Sequence, residues 1–126
     1  MALTSTAPFS AVINSVTVVQ TDATVVADND ITGGANLTLT TIEIDAATNT
    51  TVNAVYLKFY DSGSPTVGTD APEMQLPMAV NTRGAFQISG GGYTFVNAIS
   101  MACVQEAGTA GTTSPTQDVI VRVTTE

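Results

Sequence analysis

Short runs of alternating apolar and polar residues, separated by Gly, Pro, Asn and Asp, extend along the chain and constrain its fold more than any other feature. The clearest run is VNAVYLKFY, residues 52–60, which has one apolar face and a second face that carries Tyr56, Lys58 and Tyr60. Alternation with a period of two places successive side chains on opposite faces of a strand. No segment keeps the 3.6-residue period of a helix. The pattern predicts β-strands joined by many turns.

About eight strands can be placed in this way, and no linker is long enough to divide the chain. We therefore expect a flexible N-terminal arm at residues 1–8 and one domain at residues 9–126. A chain of 126 residues is long enough to bury roughly two-thirds of its unfolded surface. The predicted architecture is an all-β, antiparallel two-sheet β-sandwich, jelly-roll-like, with an immunoglobulin-like sandwich as the alternative.

Three local patterns refine this prediction. In LTLTTIEID, residues 37–45, the two leucines share one parity and the two isoleucines share the other, which predicts a β-bulge near Thr40 and Thr41. Pro77 lies inside the run EMQLPMAV, so that strand is expected at a sheet edge or to be broken. The run YTFVNAISMACVQ, residues 93–105, is predicted as one long strand, with Cys103 as a small buried residue.

Composition excludes several function classes. The chain has no histidine, one cysteine and three basic residues, Lys58, Arg83 and Arg122. A Ser-His-Asp triad, a Cys-His pair and a His-based zinc site cannot be built. A net charge of −8 would be repelled by nucleic acid and by anionic lipid. We therefore expect a protein or a neutral molecule as partner, with no nucleic acid, no membrane and no cofactor.

The segment FYDSGSP contains Asp-Ser-Gly-Ser, which resembles the active-site signature of aspartic proteases, whose small viral forms are all-β homodimers. The resemblance would make Asp61 half of a catalytic dyad. Lys58 and Tyr60 precede it, however, where a buried apolar approach is needed, and no glycine follows Gly111 where those proteases have one near the C-terminus. We predict a turn and no enzyme, with a protease-like dimer using Asp61 as the remote alternative.

Two further clusters give weak signals. Asp28, Asn29 and Asp30 offer oxygen ligands of the kind calcium prefers, but the EF-hand spacing is missing, so a solvated loop without metal is expected. The aromatic residues could form a sugar-binding platform or plug the core, and without Trp the core is favoured; they are Phe9, Phe86, Tyr93 and Phe95.

The segment from VYLKFYDSGSPTVGTDAP through LPMAV and FQISGGGYTFVNAIS to DVIVRV resembles small structural virion proteins of tailed bacteriophages. It covers about residues 52–126, and PTVGTDAP, residues 65–72, is its most specific part. Ala98 stands where such relatives often have glycine. The resemblance implies a cement or decoration protein on the outer surface of the head, commonly a homotrimer, with the major capsid protein as partner. The alternative is a tail fibre, spike or other host-attachment module.

A role of this kind depends on binding surfaces, and the sequence offers two. The first is the N-terminal arm, with Ala2, Leu3 and Phe9, which could become ordered on docking. The second is the polar strand face formed by Tyr56, Lys58 and Tyr60, because tyrosines are enriched at interfaces. This face is expected to be exposed or at an interface. The first fifteen residues lack the pattern of a signal peptide, so we expect synthesis in the host cytoplasm.

Overall fold

The alternating runs form strands that pack as two antiparallel sheets in a computed structural model, which describes residues 3–6, 16–20, 31, 33–47, 54–117 and 119–125. The strands in the described residues are β1 (Leu3–Thr6), β2 (Val16–Gln20), β3 (Leu37–Asp45), β4 (Val55–Asp61), β5 (Met74–Met78), β6 (Arg83–Gln87), β7 (Tyr93–Phe95), β8 (Ile99–Val104) and β9 (Ile120–Thr125). The predicted strand at residues 23–27 lies outside the described residues.

The larger sheet has the strand order β1-β2-β9-β3-β6. Strands β6 and β7 both pair with β3 on the side away from β9. Strand β6 pairs with residues 41–45 of β3, and β7 pairs with Leu37–Leu39. Strand β9, the last in the chain, lies between β2 and β3 and pairs with both. The centre of this sheet therefore joins strands that are far apart in sequence.

The smaller sheet has the order β5-β4-β8 and packs against the larger one. The core between them is aliphatic, and Leu39, Ile42 and Val121 from the larger sheet are fully buried together with Leu57 from the smaller. An aromatic contact also joins the sheets, since the rings of Phe59 and Phe95 have centroids 6.4 Å apart. Burial of these side chains is the main stabilising contribution to the sandwich.

The bulge predicted in β3 is confirmed. Leu39 pairs with Thr125 but Thr41 pairs with Thr124, so Thr40 is the extra residue. Because of this insertion Leu39, Ile42 and Ile44 all point into the core, although they differ in parity. The hydroxyl of Thr40 donates a hydrogen bond of 3.0 Å to the carbonyl of Thr124, which ties the bulged residue to the neighbouring strand.

The edge position of Pro77 is also confirmed, since β5 is an outer strand of the smaller sheet and Pro77 is exposed. The prediction of one long strand at residues 93–105 is wrong. The run divides into β7 in the larger sheet and β8 in the smaller, with a bend at residues 96–97 between them. The backbone N–H groups at this bend bind a side chain from another strand, which alternation along the run could not indicate.

The two-sheet antiparallel sandwich is confirmed, and the described residues contain no helix. The jelly-roll-like form and the immunoglobulin-like alternative stay predictions. Within the segment predicted as an arm, Leu3–Thr6 forms β1 and pairs antiparallel with β2. The rest of that segment lies outside the described residues, and the arm itself stays a prediction.

Candidate functional site

Asp61, the last residue of β4, uses its carboxylate to hold the bend between β7 and β8. Its two oxygens accept hydrogen bonds from the backbone N–H groups of Asn97 at 2.7 Å, Val96 at 3.2 Å and Ala98 at 3.3 Å. Burial raises the pKa of the Asp61 carboxyl, but these N–H groups outweigh it and hold that pKa below its ordinary value. The chain bends at residues 62–64 directly after it, as a turn requires. Asp61 therefore connects the end of one sheet to a loop leading from the other.

The other carboxylates of the described residues are also engaged. Three of them accept a hydrogen bond from a backbone N–H or from a tyrosine hydroxyl. The other two form ion pairs on the outer face of the larger sheet. The contacts are Asp70 with the N–H of Thr66 (2.8 Å), Glu73 with the hydroxyl of Tyr93 (2.7 Å), Glu106 with the N–H of Thr113 (3.0 Å), Asp45 with Arg83 (3.0 Å) and Glu43 with Arg122 (3.9 Å). Acidic side chains thus fix loops in this fold.

Within the described part of the chain no group of three or more His, Cys, Asp and Glu side chains could hold a metal ion. The cluster of Asp28, Asn29 and Asp30 lies outside the described residues. Each carboxylate in the described residues has its own structural partner, so no pair of them shares a site within one chain. The turn predicted from Asp61 begins one residue later, because Asp61 ends β4 and the chain bends at residues 62–64. The Asp61 carboxylate is held ionised by its backbone donors.

The polar face of β4 departs from the prediction. Lys58 and Tyr60 are 0% and 1% exposed, so the expectation of an exposed face is wrong for both, and Tyr56 is half-buried. The ammonium of Lys58 donates a hydrogen bond of 3.0 Å to the carbonyl of Gly111. This contact places a loop of the same chain over the outer face of the smaller sheet.

Two segments, residues 66–70 and 106–113, form what we call the outer cover. They meet where Gly68 approaches Thr112, because a Cβ built on Gly68 would lie 2.5 Å from the Thr112 methyl group. Gly68 has a φ of 91°, which is strained for any residue with a side chain. On the other side, the N–H of Gly108 donates a 2.9 Å hydrogen bond to the Gln75 side chain on β5. The outer cover is therefore connected to Lys58 on β4 and to Gln75 on β5.

The outer cover provides a hydrogen-bond partner for only one of the two buried polar side chains on β4, Lys58 and Tyr60. Burial lowers the pKa of the Lys58 ammonium, although the nearby Glu106 carboxylate raises it. Burial, followed by the charge of Asp70, raises the pKa of the Tyr60 phenol. Within the described residues the Tyr60 hydroxyl has no hydrogen-bond partner. In this conformation Lys58 and Tyr60 offer no surface to a partner.

Of the three candidate residues in the N-terminal segment, the structure describes only Leu3. Ala2 and Phe9 lie outside the described residues. The backbone of Leu3 belongs to β1 and pairs opposite Gln20. Strand β1 is the outer strand of the larger sheet in the described pairing, which places Leu3 at a sheet edge.

The remaining sequence predictions concern the core. Cys103 is buried on β8, as predicted, and burial raises the pKa of its thiol to about 12. Phe95 is a core residue and Phe86 is half-buried against the core. Tyr93 is 37% exposed, with its ring 5.0 Å from that of Phe95. These residues close the sandwich and form no flat exposed platform.

Comparison of the chain with protein families, curated proteins and solved structures finds no match. In the described residues no helix is long and apolar enough to cross a membrane.

Sequence reasoning missed the outer cover. The alternation in β4 was interpreted correctly as two faces, but it could not indicate that loops from elsewhere cover the polar face. A signal was present in the two loops themselves. Both are long, they follow the adjacent strands β4 and β8, and each contains a glycine at a point of close approach, Gly68 and Gly111.

Proposed function

We propose that this protein is a structural virion protein of a tailed phage, a cement or decoration protein that binds the outside of the head and stabilises it. Its partner is the major capsid protein, and it is made in the host cytoplasm before particles assemble. The observation that carries the proposal is the segment PTVGTDAP, residues 65–72, which has the most specific resemblance to such proteins.

In this fold the same segment is a scaffold element. The carbonyl of Thr66 accepts hydrogen bonds from the N–H groups of Thr69 (3.1 Å) and Asp70 (2.9 Å), and the Asp70 carboxylate accepts one from the N–H of Thr66 (2.8 Å). Gly68 then packs against the second loop of the outer cover. The segment thus makes contacts within the chain, and such a stabilising role suits a protein that functions by binding through its surface.

The engaged carboxylates support the same proposal. They fix loops and strands, and the buried Lys58 and Cys103 are inaccessible to a substrate. A binding role requires only surfaces, whereas catalysis needs a reactive group in an accessible site. The negative net charge of −8 disfavours the packaged genome as a partner.

The mechanism is multivalent binding. A protein that contacts neighbouring shell subunits adds a modest free energy at each contact, and separation of any pair of subunits must break those contacts too. Homo-oligomerisation multiplies this effect, and the resemblance favours a trimer. The N-terminal segment, with Ala2, Leu3 and Phe9, remains a candidate contact with the shell. Of the polar strand face only the half-buried Tyr56 remains a candidate, because Lys58 and Tyr60 are buried.

The test is heat release of the genome from particles that contain or lack this protein. We expect particles without it to release DNA at a lower temperature, and re-addition of the purified protein to restore the higher one. Equal release temperatures would overturn the cement function. Microscopy of labelled copies separates the alternative, since many copies on the head support cementing and a few copies at the tail support host attachment.

A further inference from the structure

The outer side of β6 is a sheet edge at which backbone groups are unpaired within the described residues. The N–H of Ile88 bonds to the carbonyl of Thr40 at 2.9 Å, and the carbonyl of Thr82 accepts the N–H of Ala46 at 2.9 Å. The backbone N–H and C=O groups of successive residues point to opposite sides of a strand. Those of the even-numbered residues of β6 therefore point towards β3. The backbone N–H and C=O groups of Arg83, Ala85 and Gln87 consequently point away from the sheet.

An incompletely covered apolar seam lies beside this edge. Four of the hydrophobic residues that are only partly buried against the core come from the β5 and β6 region: Met74, Leu76, Phe86 and Ile88. The two strands are adjacent across the sandwich, because a Cβ on Gly84 would overlap the side chain of Met78. A strand added to β6 would pair the free backbone groups and cover part of this seam.

The two outer strands on this side differ in one respect. Strand β5 contains the exposed Pro77, a residue that discourages pairing at an edge, whereas β6 has no proline. The side chain of Ala85 at the middle of β6 is small and exposed, so it leaves room for close approach.

We propose that β6 pairs antiparallel with β6 of a second copy of this chain, centred on Ala85. In this register Ala85 lies opposite Ala85 of the second copy, and Arg83 lies opposite Gln87. The inward-facing Phe86 lies opposite Gly84, the one position without a side chain, and Ile88 lies opposite Thr82. Each Phe86 ring therefore lies beside Gly84 of the other copy, where the Met78 side chain of that copy fills the space of the missing side chain. The two larger sheets become one continuous sheet.

Charge favours this register over the one centred on Arg83. A pairing shifted to centre on Arg83 would place two guanidinium groups side by side, whereas the Ala85-centred pairing separates them and leaves each Arg83 with its own Asp45, 3.0 Å away. Like charges directly opposite each other destabilise a strand pair. The second copy is thus the occupant whose sequence and charge fit this edge.

The first test is the mass of the protein in solution by analytical ultracentrifugation, at about 0.15 M salt so that the net charge is screened. We expect a concentration-dependent dimer. Ala85→Pro removes an N–H that points outward and leaves the pairing with β3 intact, so it should give a folded monomer. Ala85→Thr is the control, since it retains the N–H and should remain dimeric. Thermal unfolding checks that Ala85→Pro is folded, and Gln87→Pro provides the same test at a second outward N–H.

The second test checks the register with two substitutions at an exposed position. Gln87→Glu places a carboxylate opposite Arg83 of the second copy, and Gln87→Arg places a like charge there. We expect the dimer dissociation constant to fall by about two- to thirtyfold for the first and to rise by a similar factor for the second, because each dimer contains the pair twice.

Several results would overturn the proposal. These are a monomer at all concentrations, a trimer, a dimer that both proline variants leave intact, or equal effects of the two Gln87 substitutions. A trimer would instead agree with the assembly that the resemblance favours. The cement function does not rest on this dimer, and the particle-heating experiment tests it separately.

Discussion

The outer faces of both sheets carry basic residues, but these residues are exposed on the larger sheet and buried on the smaller one. On the larger sheet, Arg83 and Arg122 remain at the surface and pair with Asp45 and Glu43. On the smaller sheet, Lys58 is fully buried beneath the outer cover and bonds to the carbonyl of Gly111. A basic residue at a polar strand position can thus be solvated or buried, depending on loops distant in sequence.

The largest expected difference concerns the two basic side chains themselves. Lys58→Ala removes a buried side chain and should lower the free energy of unfolding by about 2–4 kcal/mol. Arg122→Ala removes a surface side chain and should change it by less than about 0.5 kcal/mol. Urea unfolding of the two variants measures both values. Similar losses would mean that the outer cover does not bury Lys58 in solution.

The contact inside the outer cover should have the next largest effect. Gly68→Ala introduces a Cβ at a φ of 91° and against Thr112, so we expect a loss of about 1–3 kcal/mol. Gly63→Ala is the matched control, because a Cβ built there contacts nothing within 4 Å. Thermal unfolding compares them, and an equal loss for both would show that the two loops do not pack closely.

A smaller effect, which depends on pH, is expected at Asp61. Asp61→Asn keeps the shape but loses the charge that accepts three N–H groups, and partial exposure limits the loss to about 1 kcal/mol near pH 7. The pKa of the folded Asp61 carboxyl lies below the ordinary value of 3.8. Its contribution is therefore complete above that value and disappears as the pH falls through the lowered folded pKa.

The difference between wild type and Asp61→Asn should consequently shrink as the pH falls below 3.8 through the lowered folded pKa, as measured by urea unfolding at a series of pH values. Glu43→Gln, which removes a carboxylate from the surface pair with Arg122, controls for the change in net charge. A constant difference at all pH values would contradict the anchoring role of the Asp61 charge.

The smallest effect is expected at the surface ion pair of the larger sheet. Arg83→Gln removes the 3.0 Å contact with Asp45, but the Arg83 side chain is 74% exposed. We expect a slight fall in the urea midpoint at low salt and none at about 1 M salt, where charges are screened. A large, salt-independent fall would mean that the exposed Arg83 stabilises the fold in the way the buried Lys58 does, and would contradict the contrast between the outer faces of the two sheets.

The sequence was informative where structure depends on neighbouring residues. The parity change in β3 predicted the bulge at Thr40, and the position of Pro77 predicted an edge strand. Alternation also gave the two faces of β4. Each of these follows from the local geometry of an extended chain, which the sequence specifies directly.

The sequence was uninformative where distant segments meet. The burial of Lys58 depends on Gly111, and the division of the run at residues 93–105 depends on Asp61, whose carboxylate captures the N–H groups of Val96, Asn97 and Ala98. Periodicity measures only whether a residue is apolar, and cannot indicate which loop will cover a polar face. The turn was predicted to begin at Asp61, whereas Asp61 is the last residue of β4 and the chain bends directly after it; its role in joining the two sheets was not visible.

The position of β9 has a consequence for how the protein is made. Because Ile120–Thr125 pairs with both β2 and β3, those earlier strands have no central neighbour while the ribosome is still producing the chain. Pairings between residues so far apart in sequence are slow to form, since a long loop must close first. We therefore expect the larger sheet to assemble only once β9 has been synthesised, and β2 and β3 to lack this neighbour until then.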